Sequence, residues 1–184
     1  MLLDKQALRL YMKKKRLTIS KESLFLQSQN IHKQLLNHPL LKQSSMIGCY
    51  VNLPYEVETQ TLIVELLKEH RVCVPKVVND EMVFYEIKSL NDLKEGYFHV
   101  LEPITDHIVE GHFIDFMIIP LVACDNKCHR LGYGKGFYDR YLSYNYDGYK
   151  CGVAYLWQIV DYIPYDHYDQ LLDEIIVPKM NVIK

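Results

Sequence analysis

Between Cys128 and Leu142 the chain reads CHRLGYGKGFYDRYL, with three glycines at alternating positions, Arg130 and Lys135 around them, and Asp139 just beyond. Gly132, Gly134 and Gly136 can adopt backbone angles closed to other residues. Successive main-chain N–H groups can then turn inward as a nest for phosphate oxygens, ahead of the helix that FYDRYL begins. Arg130 and Lys135 add full positive charge. Asp139 is misplaced as an anion ligand but suited to a magnesium ion bridging the same phosphates. The combination points to a nucleoside triphosphate. Two common phosphate cradles are excluded. A P-loop needs Ser or Thr after its Lys, and here Gly136 follows Lys135. A dinucleotide fingerprint needs GxGxxG directly after a strand, and this is GxGxG after a polar loop. A glycine-rich loop can also be only a tight connection, and the loop by itself leaves that alternative open.

The elements needed to position this loop are readable from periodicity. Asp4 is an N-cap for a helix to about Arg16, with Lys5 and Arg9 sharing one face. Ser20 caps a second helix, in which Leu24, Ile31 and Leu35 repeat at helical spacing and which NHP, Asn37 to Pro39, closes. MIGCYV, Met46 to Val51, reads as a buried strand, followed by a helix near Thr59 to His70 with Leu62, Ile63, Leu66 and Leu67 in one stripe. RVCVPKVV and MVFYEI read as strands, with Pro75 pushing the first toward a sheet edge or an early end. SLNDLKEGY, Ser89 to Tyr97, reads as a short helix stopped by Gly96. The apolar run IDFMIIPLVA, Ile114 to Ala123, reads as a strand buried on both faces. CGVAYL and DEIIVP read as the last two strands. Strands alternating with helices predict a three-layer α/β fold, Rossmann-like, with a mostly parallel sheet flanked by helices. In such sheets ligands sit beyond the C-terminal ends of strands, which is where the glycine loop falls.

With 184 residues, 49% of them hydrophobic and 24% charged, the chain is expected to fold as a single domain over 1–184. A net charge of −2 argues against bulk attraction to nucleic acid. KKKR, Lys13 to Arg16, is read as a solvated helix terminus whose cations favour the dipole. No apolar run is long enough for a membrane span, and Asp4 in MLLDKQALRL interrupts what a signal peptide would need. A cytoplasmic protein is expected, monomeric by default. Five scattered cysteines do not form a disulfide framework, so reduced thiols are expected. Cys124, Cys128 and His129 lack a fourth ligand at zinc spacing.

RLGYGKGFYDRYL, with the flanking IIPLVACD, resembles the signature of the 5-formyltetrahydrofolate cyclo-ligase family, and the resemblance extends over nearly the whole chain. KQALR is similar to the family's Lys and Arg at i, i+4 that contact ATP. YEVET resembles its acidic segment at the folate site, LEP a loop before the core strand, and DYIPYDHYDQLLDEII the segment carrying a second acidic metal ligand. Three positions depart from the pattern. Cys124 stands where an aromatic is usual, Cys128 where glycine is common, and IIVPKM lacks the Thr that commonly follows the last strand.

The resemblance implies ATP-dependent, magnesium-assisted conversion of 5-formyltetrahydrofolate to 5,10-methenyltetrahydrofolate with release of ADP and phosphate. It implies ATP contacts from Lys5 and Arg9 and along the loop at Arg130, Leu131, Gly132, Tyr133, Gly134, Lys135, Gly136, Phe137 and Tyr138. It assigns the folate to Val51 and Glu56 and to the loop from Tyr133 to Phe137, and magnesium to Asp139 and Asp169. Lys135 and Arg130 are the implied catalytic pair. The implied partners are therefore two small molecules, ATP and the folate, with no nucleic acid and no membrane. A nucleotide-sensing or interaction module that kept the loop and lost turnover is the alternative, and the retained Arg130, Lys135 and Asp139 argue against it.

Overall fold

The computed structural model describes residues 4–96 and 101–179. The first three residues of MLLDKQALRL, Tyr97 of SLNDLKEGY and Met180 of IIVPKM lie outside the described residues.

A seven-stranded sheet organises the described residues. Its strands are β1 (Met46–Cys49), β2 (Arg71–Val78), β3 (Glu81–Ile87), β6 (Ile108–Val109), β7 (Phe116–Ile119), β10 (Tyr149–Val153) and β11 (Glu174–Ile176). Two short pairs lie apart from it: β4 (Leu93–Glu95) with β5 (Leu101–Pro103), and β8 (Ala123–Cys124) with β9 (Arg130–Leu131). The order across the main sheet is β11, β10, β7, β1, β2, β3, β6. The strands from β11 to β2 run parallel, β3 turns back against β2, and β6 against β3.

The strand sequences explain why this sheet is covered on both faces. Ile47, Cys49, Val72, Val74, Phe116, Ile118, Cys151 and Val153 point into one apolar cluster, where they meet Ile31 and Leu35 of α2 (Lys21–Leu36) and Leu62, Ile63 and Leu66 of α4 (Gln60–Leu66). The alternate residues Met46, Cys73, Met117 and Ile119 enter a second cluster with Tyr141 and Leu142 of α5 (Phe137–Tyr144). A period of two along each strand thus fills both faces, as the uninterrupted apolar runs require. The short α3 (Pro39–Gln43) follows α2 after Asn37, where the sequence predicts the break.

The first helix, α1 (Lys5–Lys15), sits elsewhere. Asp4 caps it by accepting from the Ala7 N–H at 2.7 Å. Its Leu8 and Met12 pack with Ala123, Leu131 and Ile163 rather than on the main sheet. This third cluster sets α1 against the β8–β9 hairpin, and so beside the glycine loop that leaves β9.

Three expectations are corrected. The run Ile114 to Ala123 is not one strand: β7 ends at Ile119, and Pro120, which has no N–H to offer a ladder, lets the chain leave the sheet and re-form as β8. Ser89 to Gly96 is not a helix. Ser89 and Asp92 close a capping box around a single 3-10 turn, Leu90–Asp92, and Leu93 then pairs with Pro103 as β4. β2 is neither an edge strand nor cut short. Pro75 is accommodated because β1 pairs only with Arg71 to Cys73, leaving that side of β2 unpaired further along. The β2–β3 hairpin turns on Asn79 and Asp80, at φ +50° and +63°, the conformation of a two-residue hairpin turn.

Candidate active site

The glycine loop is held from both ends. At its start, Asp125 is buried in the β8–β9 turn, where its carboxylate accepts from the backbone N–H groups of Lys127, His129 and Ile163 at 2.9, 3.1 and 3.1 Å. Burial alone would raise its pKa, but these bonds and the His129 ring outweigh it and hold the carboxyl below the usual range. Cys128 closes the turn at φ +64°. At the loop's end, Gly136 is the N-cap of α5 at φ +68°, and Gly134 sits at φ +97°. Only these two glycines need left-handed backbone. A Cβ on Gly132 would meet nothing within 4 Å, so that position instead leaves the backbone open.

The cations are fixed by partners far away in sequence. Arg9 donates from Nε to the Gly132 carbonyl at 2.8 Å, and its guanidinium carbon would lie 3.1 Å from a Cβ on Gly134. Arg9 therefore braces the loop as well as presenting charge to it. Lys5 reaches Asp169 Oδ2 at 2.5 Å and Asp166 Oδ2 at 2.8 Å. Partial burial works against the charged Lys5, but these two carboxylates outweigh it and raise its pKa. Arg130 has only 2% of its side chain exposed and donates from Nη2 to Asp139 Oδ1 at 2.8 Å, while its Nε is buried without a hydrogen-bond partner among the described residues. Asp139 Oδ1 also accepts from the Gln170 N–H at 3.1 Å. Lys135 is exposed; its carbonyl accepts from Arg140 Nη1 at 3.0 Å, while its ammonium has no hydrogen bond or ion pair among the described residues.

These groups line one cleft of about 810 Å³. It contains Lys5, Arg9, every residue from Arg130 to Asp139, and Asp169. The sequence reading missed Asp166 as the second partner of Lys5 and Arg140, whose guanidinium lies 5.2 Å over the Phe137 ring. Asp161 and Asp173, the other aspartates of that segment, do not line the cleft, and Asp173 instead accepts from the Lys150 N–H.

The folate-side residues divide. Glu56 is 7% exposed. Its carboxylate accepts from the Leu53 N–H at 2.6 Å and from the Tyr133 hydroxyl at 2.7 Å, so it touches the glycine loop directly. Burial pushes its pKa up, with the two hydrogen bonds pulling it partly back. Burial and the neighbouring carboxylate also push the Tyr133 phenol up, so it remains a donor. Val51 is buried in the larger apolar cluster and does not line the cleft. Tyr138 lines the cleft, and its hydroxyl is buried without a partner among the described residues.

Asp139 and Asp169 are the cleft's candidates for a metal. Among the described residues no group of three or more His, Cys, Asp or Glu is placed to hold an ion. Two carboxylates beside a phosphate nest suit magnesium, which binds through one or two carboxylates with substrate phosphates and water. Their hydrogen bonds fall on one oxygen each, Oδ1 of Asp139 and Oδ2 of Asp169. The donor set therefore fits the ion in kind.

Comparison with known proteins gives the family. Residues 2–178 match the model of the 5-formyltetrahydrofolate cyclo-ligase family. A probable 5-formyltetrahydrofolate cyclo-ligase of Schizosaccharomyces pombe is 34% identical over 179 residues, 83% of this chain and 84% of the relative. The solved 5,10-methenyltetrahydrofolate synthetase of Aquifex aeolicus superposes with a TM-score of 0.87 at 34% identity, covering 96% of this chain and 90% of that one. That of Mycoplasma pneumoniae gives 0.77 at 29% identity over 96% and 100%.

Proposed function

The chain belongs to the 5-formyltetrahydrofolate cyclo-ligase family, and from that premise we propose how its cleft carries out the reaction. The activity is the closure of 5-formyltetrahydrofolate to 5,10-methenyltetrahydrofolate, driven by ATP. An N-formyl group is a poor electrophile because its nitrogen lone pair feeds the carbonyl. Transfer of the γ-phosphoryl to the formyl oxygen turns that oxygen into a leaving group. Nitrogen 10 then attacks the formyl carbon and loses its proton to water, the carbon–oxygen bond breaks, and phosphate departs with ADP left behind.

Phosphoryl transfer asks a protein mainly for positioning and charge neutralisation. The observation that carries the proposal is the convergence of Lys5, Arg9, Arg130 and Lys135 with Asp139 and Asp169 on one cleft at the N-terminus of α5. Lys5 and Arg9 hold ATP from α1, and Gly132 to Gly136 give main-chain donors to its phosphates. The Lys135 ammonium, without a partner among the described residues, follows the charge of the migrating phosphoryl group. Arg130, rigid against Asp139, lends its positive charge to the same oxygens from the cleft wall. Magnesium on Asp139 and Asp169 would neutralise phosphate charge when bound. Glu56 takes the amino and ring N–H donors of the pterin, which a carboxylate matches. No covalent enzyme nucleophile is needed.

We take residues 1–184 as a single cyclo-ligase domain, working as a cytoplasmic monomer. Among the described residues no helix is long and apolar enough to cross a membrane. Incubation with 5-formyltetrahydrofolate, ATP and magnesium should yield methenyltetrahydrofolate absorbance with one phosphate released per product. Folded protein that gives neither sinks the reading.

A further inference from the structure

Arg140 lines the phosphate cleft but forms no ion pair among the described residues. Its guanidinium instead folds back over the start of α5 and donates to two main-chain carbonyls. Nη1 bonds the Lys135 carbonyl at 3.0 Å, and Nη2 the Asp80 carbonyl at 3.3 Å. A Cβ on Gly136 would meet Nη1 at 3.0 Å, so glycine there also lets the guanidinium reach the loop. The Phe137 ring, one helical turn back, lies 5.2 Å beneath the group and limits its swing. The far end of this tie is firm. Asp80 belongs to the two-residue turn of the β2–β3 hairpin, and that hairpin packs on α5 through Phe84 and Tyr141, whose ring centroids are 4.8 Å apart.

The bond to the Lys135 carbonyl sets the direction of a whole peptide unit. In a trans peptide the C=O and the following N–H point opposite ways. With the carbonyl turned to Arg140, the Gly136 N–H is turned away from it, and the Lys135 backbone cannot rotate without breaking the bond. The N–H groups of Gly136, Phe137, Tyr138 and Asp139 find no acceptor among the described residues, as the first turn of a helix leaves them. At the other end of the loop Arg9 bonds the Gly132 carbonyl in the same manner. The stretch from Gly132 to Gly136 is thus held by an arginine at each end, one from α1 and one from α5, while the Lys135 ammonium between them stays free.

We propose that Arg140 is a positioning residue for phosphoryl transfer, holding the Lys135 backbone against the β2–β3 turn so that the ammonium starts from a fixed point beside the transferred group. The inference rests on the assignment of Lys135 to that group.

Arg140→Ala should lower kcat at saturating ATP and folate about tenfold, since a small displacement of a charge-neutralising group is costly. In a Lys135→Ala background the same change should cost less than about twofold, because no ammonium is left to position. Equal losses in the two backgrounds would overturn the proposal and give Arg140 a direct contact with the nucleotide. Wild-type kcat in Arg140→Ala would overturn it as well. Arg140→Lys keeps the charge but brings one nitrogen to two carbonyls, so it should recover little of the loss, and full recovery would reduce the role to charge alone. Trypsin gives a readout independent of turnover, because it cuts the Lys135–Gly136 peptide that Arg140 holds. Brief digestion of the native protein should cut there several-fold faster in Arg140→Ala, with cutting at Lys68, past α4 on the other face of the sheet, unchanged. Faster cutting at Lys135 with no methenyl product from the wild type would sink the assigned reaction and keep the tie. Cutting at Lys135 no faster than in the wild type would overturn the tie itself.

Discussion

The Tyr133 hydroxyl lies 2.7 Å from Oε1 of Glu56, joining the phosphate-binding loop to the carboxylate on the folate side. Glu56 is raised by burial and lowered by this bond and the Leu53 N–H, so Tyr133 helps keep it ionised. Tyr133→Phe removes one stabiliser of the charged form and moves the Glu56 pKa further up. The pterin N–H groups need the carboxylate, so activity falls as pH drops through that pKa. The acid limb of kcat/KM for the folate, which reports the free enzyme, should therefore shift to higher pH in Tyr133→Phe. An unmoved acid limb would separate Tyr133 from Glu56 function.

The exposed Lys135 ammonium makes no hydrogen bond or ion pair among the described residues, although it sits in the middle of the loop. Nothing in the fold depends on its charge. Lys135→Ala should leave stability within about 0.5 kcal/mol of wild type while lowering kcat on the order of 10² to 10³-fold, if it neutralises the migrating phosphoryl group. Denaturant unfolding and steady-state kinetics on one preparation test both halves. A change confined to folate KM would move Lys135 out of phosphoryl transfer.

Asp139 and Asp169 are expected to share one ion but not one structural role. Asp139 faces Arg130, whose side chain is 2% exposed, so Asp139→Asn leaves a buried guanidinium without its counter-charge, at a cost of about 3–5 kcal/mol. Asp169 faces Lys5 with both side chains partly in water, and Asp169→Asn should cost about 1 kcal/mol or less. Both variants should need more magnesium for half-maximal rate. A magnesium titration unchanged in either would remove that residue from the metal site.

The fold was legible where signals are local. Asp4 and Ser20 as caps, the apolar stripes of α2 and α4 and the alternating strands all arise within a few residues. The errors came from local signals with two readings. A glycine stop such as Gly96 follows a strand as readily as a helix, and here it follows β4, while an apolar run reads through Pro120 although a ladder cannot. In the site, residue types were legible and their pairings were not. Lys5 and Asp169 stand 164 residues apart, and the bond from Arg9 to the Gly132 carbonyl spans 123. Only the packing of α1 on the β8–β9 hairpin brings these groups together.

Cys128 stood out in the sequence as a departure from a common glycine, and the backbone gives the reason glycine is favoured there. At φ +64° the residue occupies left-handed space, which costs an L side chain about 1–2 kcal/mol. The turn holds it there regardless, since the Cys128 N–H bonds to the Asp125 carbonyl at 3.3 Å and the Asp125 carboxylate accepts from the residues on either side. Cys128→Gly relieves that strain and gives back part of the gain through the greater freedom of glycine in the unfolded chain. A net stabilisation on the order of 0.5–1 kcal/mol is expected in urea unfolding. Cys128→Ala is the control, because it also loses the thiol but keeps the Cβ that makes the left-handed backbone costly. Glycine should exceed alanine in stability. Equal midpoints for the two would mean that the backbone at this turn carries no strain, and that the thiol's packing against the second apolar cluster governs the position instead.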